Sequence, residues 1–232
     1  MSSYLIINLP NYLAIMIIAI LGEKGGTGKT TFATNLAGLR AATGCDVLII
    51  DADRQGSASY WFDKRDDTHP EVPTVHCVQK FGSGLVRTVR DMARRYDDII
   101  IDAGAGDSRE VESTLRVADR AIIPVQPAGL DVWTLGLIDD RVDEAKGVND
   151  ALAAWVVMNR ASANPRDNDV NEAAKAIAAC ENLQLADIII CDRVAVKRAT
   201  PVGLTVSEYK PFDPKAAHEM AQLYNLAFAE SG

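Results

Sequence analysis

Short, uninterrupted apolar runs alternate along this chain with segments of helical spacing. Met16–Leu21, Val47–Ile50, Ile99–Ile101, Ala121–Val125, Trp155–Met158 and Ile188–Ile190 are apolar throughout, and Val75–Val78 is a weaker run of the same kind. Strands this uniformly apolar are covered on both faces, as in a parallel sheet. Between them, helical periodicity covers Thr30–Ala42, ended near Gly44, and Leu85–Tyr96, where Leu85, Val89 and Met92 share a face. Further helices are expected near Arg109–Val117, Val132–Lys146 and Asn171–Cys180. The last helix starts at Pro214 behind Asp213 as its N-cap and runs through Met220, Leu223 and Ala227. Strand–helix alternation of this kind predicts an α/β fold: a doubly wound, mostly parallel sheet flanked by helices. No linker, repeat or low-complexity stretch divides it, so residues 16–232 read as a single domain.

The N-terminus tests this reading. Tyr4–Leu21 is mostly apolar, but Asn8, Pro10 and Asn11 interrupt it, and it lacks a basic leading region and a small-residue cleavage site. Ile15–Leu21 is better explained as the first strand. Residues 1–15 then form an N-terminal extension, and whether they are native or come from an upstream start, with Met16 as the natural one, is left open by the sequence. A chain of 232 residues, 48% hydrophobic and 24% charged, can bury a core without staples. The four cysteines, Cys45, Cys77, Cys180 and Cys191, form no CxxC pair, which argues against zinc or iron–sulfur spacing and for idle thiols in the cytoplasm. A net charge of −8 without a polybasic tail gives no whole-molecule attraction to nucleic acid. One compact basic cluster remains, Arg193, Lys197 and Arg198. Trp61, Trp133 and Trp155 are expected to be packing residues.

The chemistry lies just after the first strand, in Glu23-Lys24-Gly25-Gly26-Thr27-Gly28-Lys29-Thr30. A phosphate site needs backbone N–H groups aimed inward, and glycines let the chain curl tightly enough to provide them. The helix that follows adds its positive N-terminal dipole. In a phosphate-binding loop Lys29 reaches the β- and γ-phosphates and the Thr30 hydroxyl binds Mg²⁺. Glu23 stands where the ordinary pattern has its first glycine, and beside it is a second lysine, Lys24.

Lys-Gly-Gly-Thr-Gly-Lys-Thr-Thr, residues 24–31, resembles the deviant Walker A box of the ParA/MinD superfamily. Other blocks agree in order and spacing. Val47–Gly56 contains Asp51-Ala52-Asp53-Arg54-Gln55-Gly56 and looks like the switch I segment D-x-D-P-Q-G. Ile99–Gly106 is similar to the Walker B and switch II region, and Ala118–Pro127 to the strand A-D-x-x-x-I-P-V-x-P. Gly203–Tyr209 resembles the G-x-T-V-x-E-Y stretch of short ParA proteins, so the likeness covers residues 16 to about 228. Arg54 replaces the usual proline, and Asp-Ala-Gly-Ala-Gly replaces the commoner Asp-Thr-Pro-Pro. Those glycines, and Asp131-Val132-Trp133, resemble the ParF-like branch of small plasmid partition ATPases.

The resemblance implies a Mg²⁺-dependent ATPase of weak intrinsic activity, stimulated by a partner. ATP would be held by Lys24, Gly25, Gly26, Thr27, Gly28, Lys29, Thr30 and Thr31, with Asn159 and Arg160 near the adenine. Asp53 would serve the attacking water or the magnesium shell, and Asp102 would act on Mg²⁺ through water. Lys24 would cross an ATP-bound homodimer to the partner's phosphates. The dimer would bind non-specific DNA over the nucleoid, with Arg193, Lys197 and Arg198 contributing. A ParB-like or centromere-binding adaptor would stimulate hydrolysis and release, and the cargo would be a plasmid or a protein body such as a carboxysome. A MinD-like membrane ATPase is the main alternative, but the segment 221–230 carries no lysine or arginine for a basic amphipathic face, so no stable membrane anchor is expected. A NifH-like or metal-carrying ATPase would need paired cysteines, and none follows Asp102 until Cys180. A dethiobiotin-synthetase-like enzyme would share the fold without needing Lys24.

Overall fold

The computed structural model describes residues 15–105, 108–162 and 168–229. Residues 1–14, nearly all of the expected N-terminal extension, lie outside the described residues. Seven strands form one sheet: β1 Met16–Ile20, β2 Val47–Ala52, β3 His76–Gln79, β4 Asp98–Ala103, β5 Arg120–Val125, β6 Ala153–Ala161 and β7 Gln184–Cys191. Their order is β3-β2-β4-β1-β5-β6-β7, and every neighbouring pair is parallel. The chain leaves β1 toward β2 and β3, returns through β4, and crosses back over β1 to β5. This reversal puts a crevice at the carboxyl ends of the central strands, where open α/β sheets bind ligands.

Helices cover both faces. On one side α1 (Lys29–Ala41), α2 (Ser57–Thr68), α7 (Val194–Ala199) and α8 (Pro214–Phe228) enclose a core around Ile18, Ile20, Ile49, Phe32, Trp61 and Phe228. On the other, α3 (Leu85–Met92), α4 (Ser108–Leu115), α5 (Val132–Lys146) and α6 (Asp169–Ile177) pack on Ile99, Ile101, Ile123 and Val156. The strands of the sheet centre are buried at every position in β2, β4 and β5, as their apolar runs require. Two polar positions within them are satisfied internally. Asp98 accepts from Met16 N at 3.0 Å and from Arg40 Nε at 2.6 Å, and Arg120 donates to Leu226 O at 2.7 Å to cap α8. Helix α8 itself buries Ala216, Met220, Leu223, Tyr224 and Phe228 in the core, so its apolar face is already used. No described helix is long and apolar enough to cross a membrane.

Candidate nucleotide-binding site

The loop 23–30 leaves β1, at the switch point, and runs directly into α1. Gly26 (φ +78°) and Gly28 (φ +106°) adopt left-handed backbone that glycine alone enters without strain. Space is equally restrictive at Gly28, where a Cβ would fall 2.1 Å from Asn159 Nδ2. That amide, buried at the end of β6, donates to Thr27 O at 2.6 Å. Gln126, after β5, donates to Gly26 O at 3.0 Å. Both braces hold loop carbonyls and spend none of the N–H groups that an anion needs.

Lys29 is buried and donates to Lys24 O at 2.9 Å, closing the loop on itself. Burial holds its ammonium below the usual lysine range, against the opposing pull of Asp102 and Asp53. Thr30 Oγ1 donates to Asp102 Oδ2 at 2.6 Å. Asp102 sits in register with Ile20 on one side and Asp51 on the other, so the sheet itself delivers it to the loop. Burial pushes its carboxyl up to about 7, the Thr30 hydrogen bond opposes this, and the Asp51 charge adds to it. A threonine hydroxyl and a carboxylate in contact form an oxygen pair that suits Mg²⁺, which keeps most of its waters and needs no all-protein cage.

Opposite the loop, Asp53 occupies the turn between β2 and α2, where its Oδ1 accepts from Gln55 N at 2.9 Å. Asp51 has a different task. Its carboxylate, fully buried, accepts from Ser59 N at 2.8 Å and Ser59 Oγ at 2.7 Å, and so ties α2 to β2. A cleft of about 650 Å³ separates these elements, lined by Lys29, Thr30, Asp53, Tyr60, Arg160 and Thr200-Pro201 among others. Arg160 is the one non-glycine residue with positive φ (53°) among the described residues, at an irregularity near the end of β6 where its side chain joins the cleft wall. Of the two residues expected at the adenine, Arg160 therefore lines the cleft, whereas the Asn159 amide is spent on the phosphate loop.

Lys24 points elsewhere. Its Nζ lies 3.2 Å from Asp131 Oδ2, and the other Asp131 oxygen caps α5 by accepting from Trp133 N and Thr134 N. The hydrogen bond from Lys24 holds the Asp131 carboxyl below the usual aspartate range. Beside this pair Trp133 is 75% exposed, so of the three tryptophans expected to be packing residues it is the one that stands at the surface. Trp61 is buried and donates to Leu204 O, and Trp155 lies under the Arg120 guanidinium. The basic cluster is also divided. Arg193 Nε is 3.0 Å from both Glu219 carboxylate oxygens and Lys197 Nζ is 2.7 Å from Asp192 Oδ2, while Arg198 borders a separate groove with Tyr209 and Phe212. In an acidic chain two of the three cations have found carboxylates of their own.

Several contacts that brace the loop could not be read from the sequence. Gln126 and Asn159 reach the loop only because β5 lies next to β1 and β6 next to β5. Arg141, in α5, pairs with Glu23 at the start of the loop, which accounts for a charged residue at the position where the ordinary motif has glycine.

A parallel sheet with this loop at its switch point is the P-loop nucleoside triphosphatase fold. The sequence matches the CobQ/CobB/MinD/ParA nucleotide binding domain over residues 18–206, and the chain belongs to that family. It is similar to Maintenance of carboxysome distribution protein A of Halothiobacillus neapolitanus, 24% identical over 90% of this chain and 94% of that protein. The protein of the same name from Gloeobacter kilaueensis is 35% identical, but that match spans about half of each chain, 51% of this one and 53% of the relative. Among solved structures, the septum site-determining protein MinD of Pyrococcus horikoshii, complexed with Mg-ADP, superposes with a TM-score of 0.71 at 20% identity, over 93% of this chain and 97% of that one.

Proposed function

We propose that this chain is a ParA-type positioning ATPase whose ATP-bound dimer binds DNA non-specifically and is released when an adaptor stimulates hydrolysis. The observation that carries the reading is the division of labour between the two lysines. Lys29 is buried within its own loop, while Lys24 stands on the outer side, half exposed and held by a surface carboxylate. A lysine placed there is available to a second copy and superfluous to a metabolic enzyme that acts as a single P-loop.

ATP with Mg²⁺ supplies the transferable phosphoryl group and the cation that neutralises its charge. Phosphoryl transfer then requires mainly positioning and electrostatics. In this account Gly25, Gly26, Thr27 and Gly28 present backbone N–H groups to the phosphates, and Lys29 neutralises the β- and γ-phosphate charge. Thr30 and Asp102 hold the cation side, Thr31 continues the cradle, and Asp53 orients the water. The Mg-ADP complex of the Pyrococcus horikoshii MinD supports this ligand set. The carboxysome-distribution relatives favour a protein body as cargo, with a plasmid as the other candidate. The burial of the apolar face of α8 argues against a membrane-seated reading.

Phosphate release and fluorescence anisotropy with unrelated DNA duplexes test this together. The expected result is slow Mg²⁺-dependent hydrolysis, and DNA binding with ATP that is far tighter than with ADP and that weakens steeply with salt. ATP hydrolysis without DNA binding at low salt would shift the reading to protein-only cargo, and no ATP binding would refute it.

A further inference from the structure

The turn between β2 and α2 carries Asp53, and the segment after β4 follows Asp102, so these two stretches flank the same end of the cleft. They touch directly. A Cβ on Gly104 would come to 3.4 Å from both Ala52 O and Asp53 Cα. Arg54 adds a side-chain connection. Its Nη2 lies 3.9 Å from Oε1 of Glu110, a buried carboxylate in the first turn of α4. The same guanidinium stands over the Phe81 ring, 5.4 Å from its centroid. Gly56, two residues on, has a φ of +66°, left-handed backbone that favours glycine.

The Arg54 side chain is 74% exposed, so the fold does not depend on it. An arginine with full access to water nevertheless lies across an aromatic ring toward a buried carboxylate on another element. Only a planar guanidinium can present a face to the ring and an edge to the carboxylate together. The family pattern has proline at this position, which stiffens the turn by fixing its own backbone. Arginine leaves the backbone free and replaces that stiffness with a tether.

We propose that Arg54 is a positioning residue for hydrolysis, strapping the Asp53 turn to α4 through Glu110 and to the segment after β3 through Phe81, so that Asp53 keeps its place at the phosphate end of the cleft. The inference rests on the ATPase reading above.

Nucleotide affinity and turnover separate it from a purely structural role. Arg54→Ala, Arg54→Lys, Glu110→Gln and the double variant Arg54→Ala/Glu110→Gln are compared with wild type, and the exposure of Arg54 means that its replacements fold. ATP and ADP affinities should stay within about twofold of wild type, while turnover falls about threefold to fivefold in each single variant. The double variant should fall no further than the worse single one, and Arg54→Lys should recover part of the loss. Turnover of Arg54→Ala within about 1.5-fold of wild type, or a double variant that falls by the product of the singles, overturns the strap. Absence of turnover in wild type would instead refute the ATPase reading. Amide exchange then decides the strap alone: Arg54→Ala must speed exchange in residues 109–115 and leave α5 unchanged, and no change in 109–115 overturns it.

Discussion

Glu208→Gln probes the junction that fixes α2 to the segment preceding α8. Glu208 belongs to the 203–209 stretch, and its partner Arg65 lies in α2 with a side chain 3% exposed. All five N–H donors of that guanidinium are used. Nε and Nη2 donate to Pro73 O at 3.2 and 2.9 Å, and Nη1 donates to Gly203 O at 3.1 Å. Nη1 and Nη2 also reach the two Glu208 oxygens at 2.8 and 2.7 Å. Glu208 accepts in addition from Thr205 N at 2.8 Å. Breaking a buried pair by removing one charge typically costs about 3–5 kcal/mol, and a glutamine that keeps one acceptor oxygen belongs at the low end, about 3 kcal/mol. For a domain of this size that is a fall in Tm of roughly 6–12 °C. Circular dichroism during thermal and urea unfolding at pH 7.5 reads it directly. The pH dependence gives an independent check. Burial alone would raise the Glu208 carboxyl, but the hydrogen bonds and charge of Arg65 outweigh it and hold the group below its ordinary value of 4.5. A depressed carboxyl contributes stability above that ordinary value and loses it as pH falls through the folded value. The gap between wild type and Glu208→Gln should therefore be full at pH 7 and close as pH falls below about 4.5. A loss under about 1 kcal/mol, or a gap that does not change with pH, would refute the reasoning.

Three further outcomes follow from the site. Asp53→Ala should bind ATP normally, hydrolyse it poorly and accumulate as a dimer, since charge is lost beside the water and not in the phosphate cradle; a monomer on size-exclusion chromatography with ATP and Mg²⁺ contradicts this. Asp131→Asn keeps the α5 cap, because asparagine caps as well as aspartate, yet releases Lys24. It should dimerise with ATP at lower protein concentration than wild type, and weaker dimerisation in sedimentation runs would mean that Asp131 serves the dimer and does not restrain Lys24. Lys197→Ala/Arg198→Ala should lower the salt slope of DNA binding by about 1 per lost phosphate contact; an unchanged slope in anisotropy titrations removes these residues from the DNA face.

The sheet was legible because buried parallel strands need apolar cores, and β1, β2, β4, β5 and β6 each carry an uninterrupted apolar run. Their ends were read short where a polar residue is satisfied inside, as at Asp98 and Arg120. Helix α5 matches its expected bounds, Val132–Lys146, since Asp131 marks its start. Helix α2 gave no such signal. Its last turns read Lys64-Arg65-Asp66-Asp67-Thr68, and the residue that matters there, Arg65, is a charge whose burial depends on Glu208, 143 positions away. Of the site, the phosphate loop could be read locally, because consecutive residues build it. The braces Gln126 and Asn159, the pairing of Asp131 with Lys24 and the engagement of Arg193 by Glu219 depend on strand order and on helix packing, which no local pattern encodes.

The central claim is that one lysine holds the nucleotide and the other joins two copies. Sedimentation equilibrium with ATP and Mg²⁺ tests it on wild type, Lys29→Ala and Lys24→Ala, each with nucleotide binding measured in parallel. A 25.0 kDa chain should form a dimer with ATP and remain a monomer with ADP. Lys29→Ala should bind no nucleotide, because the phosphate charge loses its partner within the loop, and Lys24→Ala should bind nucleotide but stay monomeric. A wild type that remains monomeric with bound ATP, or a Lys24→Ala protein that dimerises as well as wild type, would contradict the account.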